Sequence, residues 1–123
     1  MSTLTESIHD EEFIVSEANR HRSRDDVTMT SGAFMPGEVM GKITASGKFT
    51  AWDPAAADGS ENAAGINIAG IDASAADKTG ALLIRDAEVN EDLLTFDGGA
   101  NAGEITTAKA QLVALGIIIR KSI

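Results

Sequence analysis

Hydrophobic positions in this chain fall into short runs separated by polar and glycine-bearing punctuation. That spacing predicts many short strands rather than long helices. Residues 27–30 read as a first strand, followed by the turn signals Ser31-Gly32 and Pro36-Gly37. Residues 38–44 (EVMGKIT) alternate imperfectly and predict a strand. Ser46-Gly47 separates it from residues 48–52 (KFTAW), where Phe49 and Ala51 share one face and Thr50 and Trp52 the other. Two such runs around a glycine turn predict a β-hairpin.

Residues 49–66, FTAWDPAAADGSENAAGI, hold the single Trp of the chain, a proline, several carboxylates and an Asp-Gly pair. Such a stretch could be a catalytic loop, a binding loop or a turn. Asp53-Pro54 starts a turn, because proline fixes φ and the residue before it avoids the helical region. Asp58-Gly59 adds a second, with Gly free to take positive φ. Residues 63–71 (AAGINIAGI) then predict a strand with Ile66 and Ile68 on one face.

After a loop over 72–78, residues 79–89 (TGALLIRDAEV) give the strongest strand signal, and the contiguous Leu82, Leu83 and Ile84 imply burial on both faces. Residues 94–96 (LTF) predict a short strand and 97–103 (DGGANAG) a flexible loop. One helix follows, capped by Thr106 or Thr107, with Leu112 and Leu115 facing the core and Gly116 as its stop. Residues 117–119 form a terminal strand. The fold class is α+β, mostly β: a small domain of short strands with one C-terminal helix.

The N-terminal residues break this rhythm. Residues 1–12 are polar, without period, and read as disordered in isolation. Phe13, Ile14 and Val15 form an apolar plug, and Arg20, Arg22 and Arg24 alternate with polar residues behind it. Residues 13–26 thus read as an extended segment that needs a surface. That surface is either another chain, to which it would add a strand, or its own domain. The expected organisation is a flexible arm over 1–26 and a domain over 27–123.

Composition narrows the function. The 123 residues suit one domain, and four Phe, one Trp and no Tyr make a thin core of small residues. Its stability is expected to lean on self-association or a partner surface. Nineteen acidic against ten basic residues give a net charge of −9. That balance argues against nucleic-acid binding, which needs a positive surface, and against an anionic membrane. Without Cys there is no thiolate or cysteine metal chemistry. No apolar run approaches the roughly 20 residues of a membrane span. The polar start lacks a secretory signal, so synthesis in the cytoplasm is expected.

Candidate chemistry is thin. MGKITASGKF resembles a phosphate-binding loop, but five residues separate Gly41 from Gly47 and Phe49 stands where Ser or Thr is needed. Both histidines, His9 and His21, lie in the presumed arm, which cannot hold a base rigidly beside a nucleophile. The Asp-Gly-Ser-Glu-Asn loop lacks calcium-loop spacing. No catalytic, cofactor-binding or metal-ligating residues are assigned, and the weight moves from enzyme to binding or structural protein.

The ordered series KITASGKFTAWDPAAADGSENAAGI, ADK, LLIRDAEVN, LTF and AQLVALGIIIRK resembles the lambda-type bacteriophage head decoration proteins, especially the longer-armed prophage versions. The residues that carry the likeness are Lys48, Ala51, Trp52, Asp53, Asp58, Gly59, Ala63 or Ala64, Gly65 and Ile66, within a resemblance over residues 13–120. It implies a non-enzymatic protein without cofactor that sits as a homotrimer on the outside of the expanded head. Its N-terminal arm would add a strand to the major capsid protein, and the bound protein would reinforce the shell against packaged DNA. On that reading Phe13, Ile14, Val15, Arg20, Arg22 and Arg24 contact the capsid, and Trp52, Asp53 and Pro54 serve packing or trimer contact. The run SEANRHRSR departs from the lambda member, which lacks it. The competing class is a small acidic β-rich protein-binding module of a cellular or surface assembly. A small hydrolase or nucleotide binder ranks behind both.

Overall fold

The structure, a computed structural model, describes residues 13–18 and 20–121, excluding the side chains of Arg20 and His21. Residues 1–12 of the arm expected over 1–26 therefore lie outside the described residues. From residue 13 onward the chain alternates short strands and turns. The strands are β1 (Ile14–Glu17), β2 (Arg24–Met29), β3 (Ala33–Phe34), β4 (Val39–Lys42), β5 (Phe49–Ala51), β6 (Ala63–Asn67), β7 (Ile71–Asp72), β8 (Lys78–Leu83), β9 (Ala87–Asn90) and β10 (Ile117–Arg120). One helical turn, α1 (Arg20–Ser23), links β1 to β2, and the helix α2 (Ala102–Ala114) precedes β10.

Five strands close a barrel in the order β2-β5-β4-β6-β8. The predicted hairpin is its β4–β5 edge, with Lys42 opposite Phe49 and Met40 opposite Ala51. Gly47 takes φ 74° in the connecting turn, where its N–H donates to the Ile43 carbonyl. This hairpin occupies the stretch that resembled a phosphate loop. β2 closes the barrel against β8 along its whole length, from Arg24 opposite Leu83 to Met29 opposite Lys78. β3 and β7 form a separate two-stranded ribbon.

The continuous strand expected over 79–89 is two strands in two sheets. β8 belongs to the barrel and β9 is the middle of the second sheet, β1-β9-β10. The break falls at Asp86, whose φ of 50° no extended strand can hold. Leu82 and Leu83 are both fully buried and lie in different clusters, as strand alternation requires. Leu82 packs with Met29, Phe34, Met40, Phe49 and Ala73. Leu83 packs with Phe13, Trp52, Ile66, Val89, Leu112 and Ile117 in the larger cluster between barrel, second sheet and α2.

Phe13 is fully buried in that larger cluster. β1 pairs antiparallel with β9 and β10 pairs parallel on β9's other side. Residues 26 and 27 both lie in β2, and Phe13 and Ile14 pack on the core of their own chain. The apolar plug supplies the reason: removing a whole aromatic ring from water ties the segment down.

α2 starts earlier than expected. Asn101 caps it, accepting from the Glu104 N–H while the Glu104 carboxylate accepts from the Asn101 N–H. This is a capping box. Thr106 and Thr107 sit inside the helix and donate to carbonyls four residues back. Ala108 and Leu112 are its buried residues, and Leu115, expected in the core, is 38% exposed. Gly116 stops the helix with φ 92°. Residues 94–96 form no strand among the named ones: a 3₁₀ turn over Glu91–Leu93 is followed by a single bridge from Thr95 to Glu38.

Candidate functional site

Of the predicted contact residues, Ile14 and Val15 lie in the second sheet, Phe13 just before it, Arg22 in α1 and Arg24 in β2. Phe13 anchors the start of β1, and its carbonyl accepts from the Asn90 N–H at 2.8 Å. The register then slips: Ile14 stands opposite Val89, but Ser16 stands opposite Glu88. Val15 is the extra residue of this bulge, and it is 43% exposed. A bulge of this kind re-aims one side chain without breaking the sheet. Ile14 stays half-buried against the core. In the sheet order β1 is one edge and β10 the other.

Beyond β1 the chain is held by charge. Arg24 and Glu17 pair in a part-buried contact, and the Ser23 hydroxyl also donates to Glu17. The Arg22 guanidinium, 70% exposed, donates to Asp86 at 2.9 Å. The Asp86 carbonyl accepts from the Ala18 N–H at 2.9 Å, and Arg85 donates to the Arg22 carbonyl. Asp86 thus ties the N-terminal segment to the turn between β8 and β9. Gly116 lies against it: a Cβ there would stand 3.2 Å from an Asp86 carboxylate oxygen.

The outer face of the sheet is mixed in charge. Ser16, Glu88 and Ile118 stand abreast across its three strands. The Arg120 guanidinium beside Glu88 holds that carboxyl below its ordinary range, with the Ser16 hydroxyl adding to the effect. Ser16, Glu17, Arg22, Asp86, Glu88 and Ile118 line a shallow depression of about 320 Å³. Ile118, 49% exposed, is its largest apolar member.

Trp52 lies elsewhere and inside. It is 2% exposed, donates its indole N–H to the Glu61 carbonyl at 2.9 Å, and meets the Phe96 ring edge-on at 5.9 Å. Asp53 is exposed and caps its own turn, accepting from the Ala55 N–H at 2.9 Å. Pro54 lines a second shallow depression with Trp52, Glu61, Glu104 and Gln111. The stretch between β5 and β6 is therefore a built turn that folds back over β4. The Asp58 carbonyl accepts from Thr44 N–H, and Ser60 approaches Gly41 so closely that a Cβ on Gly41 would lie 2.3 Å from its carbonyl.

The structure gives Phe13, Ile14, Val15, Arg22 and Arg24 different environments. Val15 and Arg22 face solvent, Phe13 is core, and Arg24 is paired with Glu17. The Arg20 side chain lies outside the described residues, as does His9. Sequence reasoning missed Ile118 and Asp86. Period-two alternation in Ile117-Ile118-Ile119 would have turned Ile118 outward. Nothing local marked Asp86 as a left-handed residue. Among the described residues no group of three or more His, Cys, Asp or Glu could hold a metal ion, and no helix is long and apolar enough to cross a membrane.

No curated protein matches the sequence. The family profile described as bacteriophage lambda head decoration protein D matches residues 3–117, which takes in the N-terminal residues, both sheets, α2 and the start of β10. On a match of that extent, the chain belongs to the bacteriophage lambda head decoration protein D family.

Proposed function

We propose that this phage head protein decorates the outside of the expanded capsid as a homotrimer, binds the major capsid protein through its N-terminal residues, and reinforces the shell against packaged DNA. The observation that carries the reading is the family match over residues 3–117, which spans the N-terminal segment as well as the folded unit. The fold supports it in two ways. Phe13 fixes where residues 1–12 join the domain, at an edge strand of the second sheet. Val15 on its bulge and Arg22 offer apolar and cationic contacts beside that point. Strand addition at such an edge uses backbone hydrogen bonds for affinity and side chains for specificity. The net charge of −9 suits a surface turned away from DNA. The protein would be made in the host cytoplasm and act without catalysis, cofactor, nucleic acid or membrane.

The test is co-sedimentation of the purified protein with expanded, undecorated heads of its own phage, with unexpanded proheads as control. Saturable binding to expanded heads alone is expected. A variant lacking residues 1–12 keeps Phe13 and should fold with an unchanged melting temperature while losing binding. Full binding by that variant would remove the N-terminal residues from the contact, and equal binding to proheads would remove the expansion requirement.

A further inference from the structure

The chain contains two Asp-Gly pairs, Asp58-Gly59 and Asp97-Gly98, and the fold treats them in opposite ways. Asp-Gly is the sequence at which a backbone amide most easily attacks the preceding side chain, because glycine offers no Cβ to obstruct the approach. The Gly nitrogen adds to the Asp carboxyl carbon and water leaves, closing a five-membered succinimide. Water then reopens the ring at either carbonyl. One opening restores Asp, and the other routes the main chain through the side-chain carboxyl as isoaspartate. The overall change is an isomerisation: the water lost is returned and no oxidant or reductant takes part.

At Asp58 each part of this reaction is obstructed. The Gly59 N–H, the nucleophile, donates to a Glu61 carboxylate oxygen at 2.8 Å. The Asp58 carboxylate accepts from the Ser60 N–H at 3.0 Å and the Ser60 hydroxyl at 2.6 Å. Those bonds from Ser60 hold the carboxyl below its ordinary range, away from the protonated form that can lose water. The Asp58 carbonyl is held by Thr44 N–H, and a Cβ built on Gly59 would meet Thr44 at 2.2 Å, so the backbone has no room to rotate.

At Asp97 the obstruction on the carboxylate is reduced to one bond, from the Gly99 N–H. Asp97, Gly98 and Gly99 are all exposed, and a Cβ built on Gly98 would meet nothing within 4 Å. The Gly98 N–H has no hydrogen-bond partner among the described residues. Asp97 accepts from two amides beyond Gly98: its carboxylate from the Gly99 N–H at 3.1 Å and its carbonyl from the Ala100 N–H at 3.0 Å.

We propose that Asp97 is a site of spontaneous isoaspartate formation in the folded protein, and that the hydrogen-bonded turn around Asp58 protects the other Asp-Gly pair.

One tryptic digest separates the two sites, since cleavage after Lys48, Lys78, Arg85 and Lys109 puts Asp58 in fragment 49–78 and Asp97 in fragment 86–109. The full-length protein is aged at neutral pH and 37 °C, digested at intervals, and each fragment scored for isoaspartate by enzymatic carboxyl methylation and by fragmentation mass spectrometry. A parallel sample is aged in denaturant. In the folded protein we expect fragment 86–109 to accumulate isoaspartate at least about tenfold faster, because Asp58 must first break several hydrogen bonds to react. In denaturant the two rates should converge. Equal folded rates, faster reaction at Asp58, or no isoaspartate in fragment 86–109 would each overturn the proposal. Gly98→Ala, at an open position, should abolish most of the signal in fragment 86–109 without changing fragment 49–78.

Discussion

Replacing Phe13 with Ala tests whether the N-terminal segment belongs to the folded protein. Phe13 is fully buried among Leu83, Val89, Leu112 and Ile117. An aromatic side chain buries about 150–250 Å², which at about 25 cal/mol per Å² is worth about 4–6 kcal/mol. Alanine keeps part of that contact and the residual cavity adds a cost, so the expected loss is about 3–5 kcal/mol. For a domain of this length that corresponds to a fall in melting temperature of about 12–20 °C. Val15→Ala, at the bulged and half-exposed neighbour, should cost under about 1 kcal/mol. Denaturant unfolding followed by Trp52 fluorescence measures both. If residues 13–23 peel away before the rest unfolds, the loss is capped at the docking energy of that segment. Hydrogen exchange detects this directly, because the Asn90 amide donates to Phe13 and the Ala18 amide to Asp86. A loss below about 1 kcal/mol, with both amides exchanging freely in the unmutated protein, would refute the placement of β1 in the fold.

Three further outcomes rest on the packing and the charges. Gly41→Ala should cost about 1–3 kcal/mol in denaturant unfolding, since its Cβ would collide with the Ser60 backbone and the turn over β4 would have to shift. Leu112→Ala should cost about 2–5 kcal/mol, whereas Leu115→Ala at the exposed helix end should cost under about 0.5 kcal/mol. Burial raises the Glu38 carboxyl above its ordinary range, against the opposing Met35 N–H. A raised carboxylate penalises the folded state above its folded pKa, and the penalty disappears below the unfolded value of about 4.3. Glu38→Gln should therefore stabilise the protein at neutral pH and lose that advantage as the pH falls from the raised folded pKa toward about 4.3, read from unfolding midpoints across a pH series.

Where one residue type admits one geometry, the chain was legible. The hairpin around Gly47, the helix stop at Gly116, the inward Ile66 and Ile68 and the doubly buried Leu82-Leu83 all follow from alternation and from glycine's freedom at positive φ. The helix start was legible too, but in another place: the Asn101-x-x-Glu104 box outranks the threonines because it satisfies two orphan groups at once. What the pattern hid was long-range. The apolar run 82–84 masked the passage from barrel to second sheet at Asp86, a residue whose side chain gives no warning of its backbone. The plug at Phe13 carried the need for a surface, but the surface lies more than seventy residues away at β9. The contact residues were thus named as a set, while the fold divides them into an anchor, a solvent-facing bulge, an Arg22 paired to the distant Asp86 and an Arg24 paired to the nearby Glu17.

Ile14 and Ile119 both stand beside Val89, on opposite sides. Because β1 runs against β9 and β10 runs with it, the first described strand begins where the last one ends. Two strand spacings of about 4.8 Å separate them. A linker of a few residues could therefore join Lys121 to Phe13, with new ends opened in the exposed loop at 98–99. Such a circular permutant keeps every strand pairing among the described residues. If it still loads onto heads, recognition resides in the folded unit. If it folds but no longer loads, recognition needs residues outside that unit.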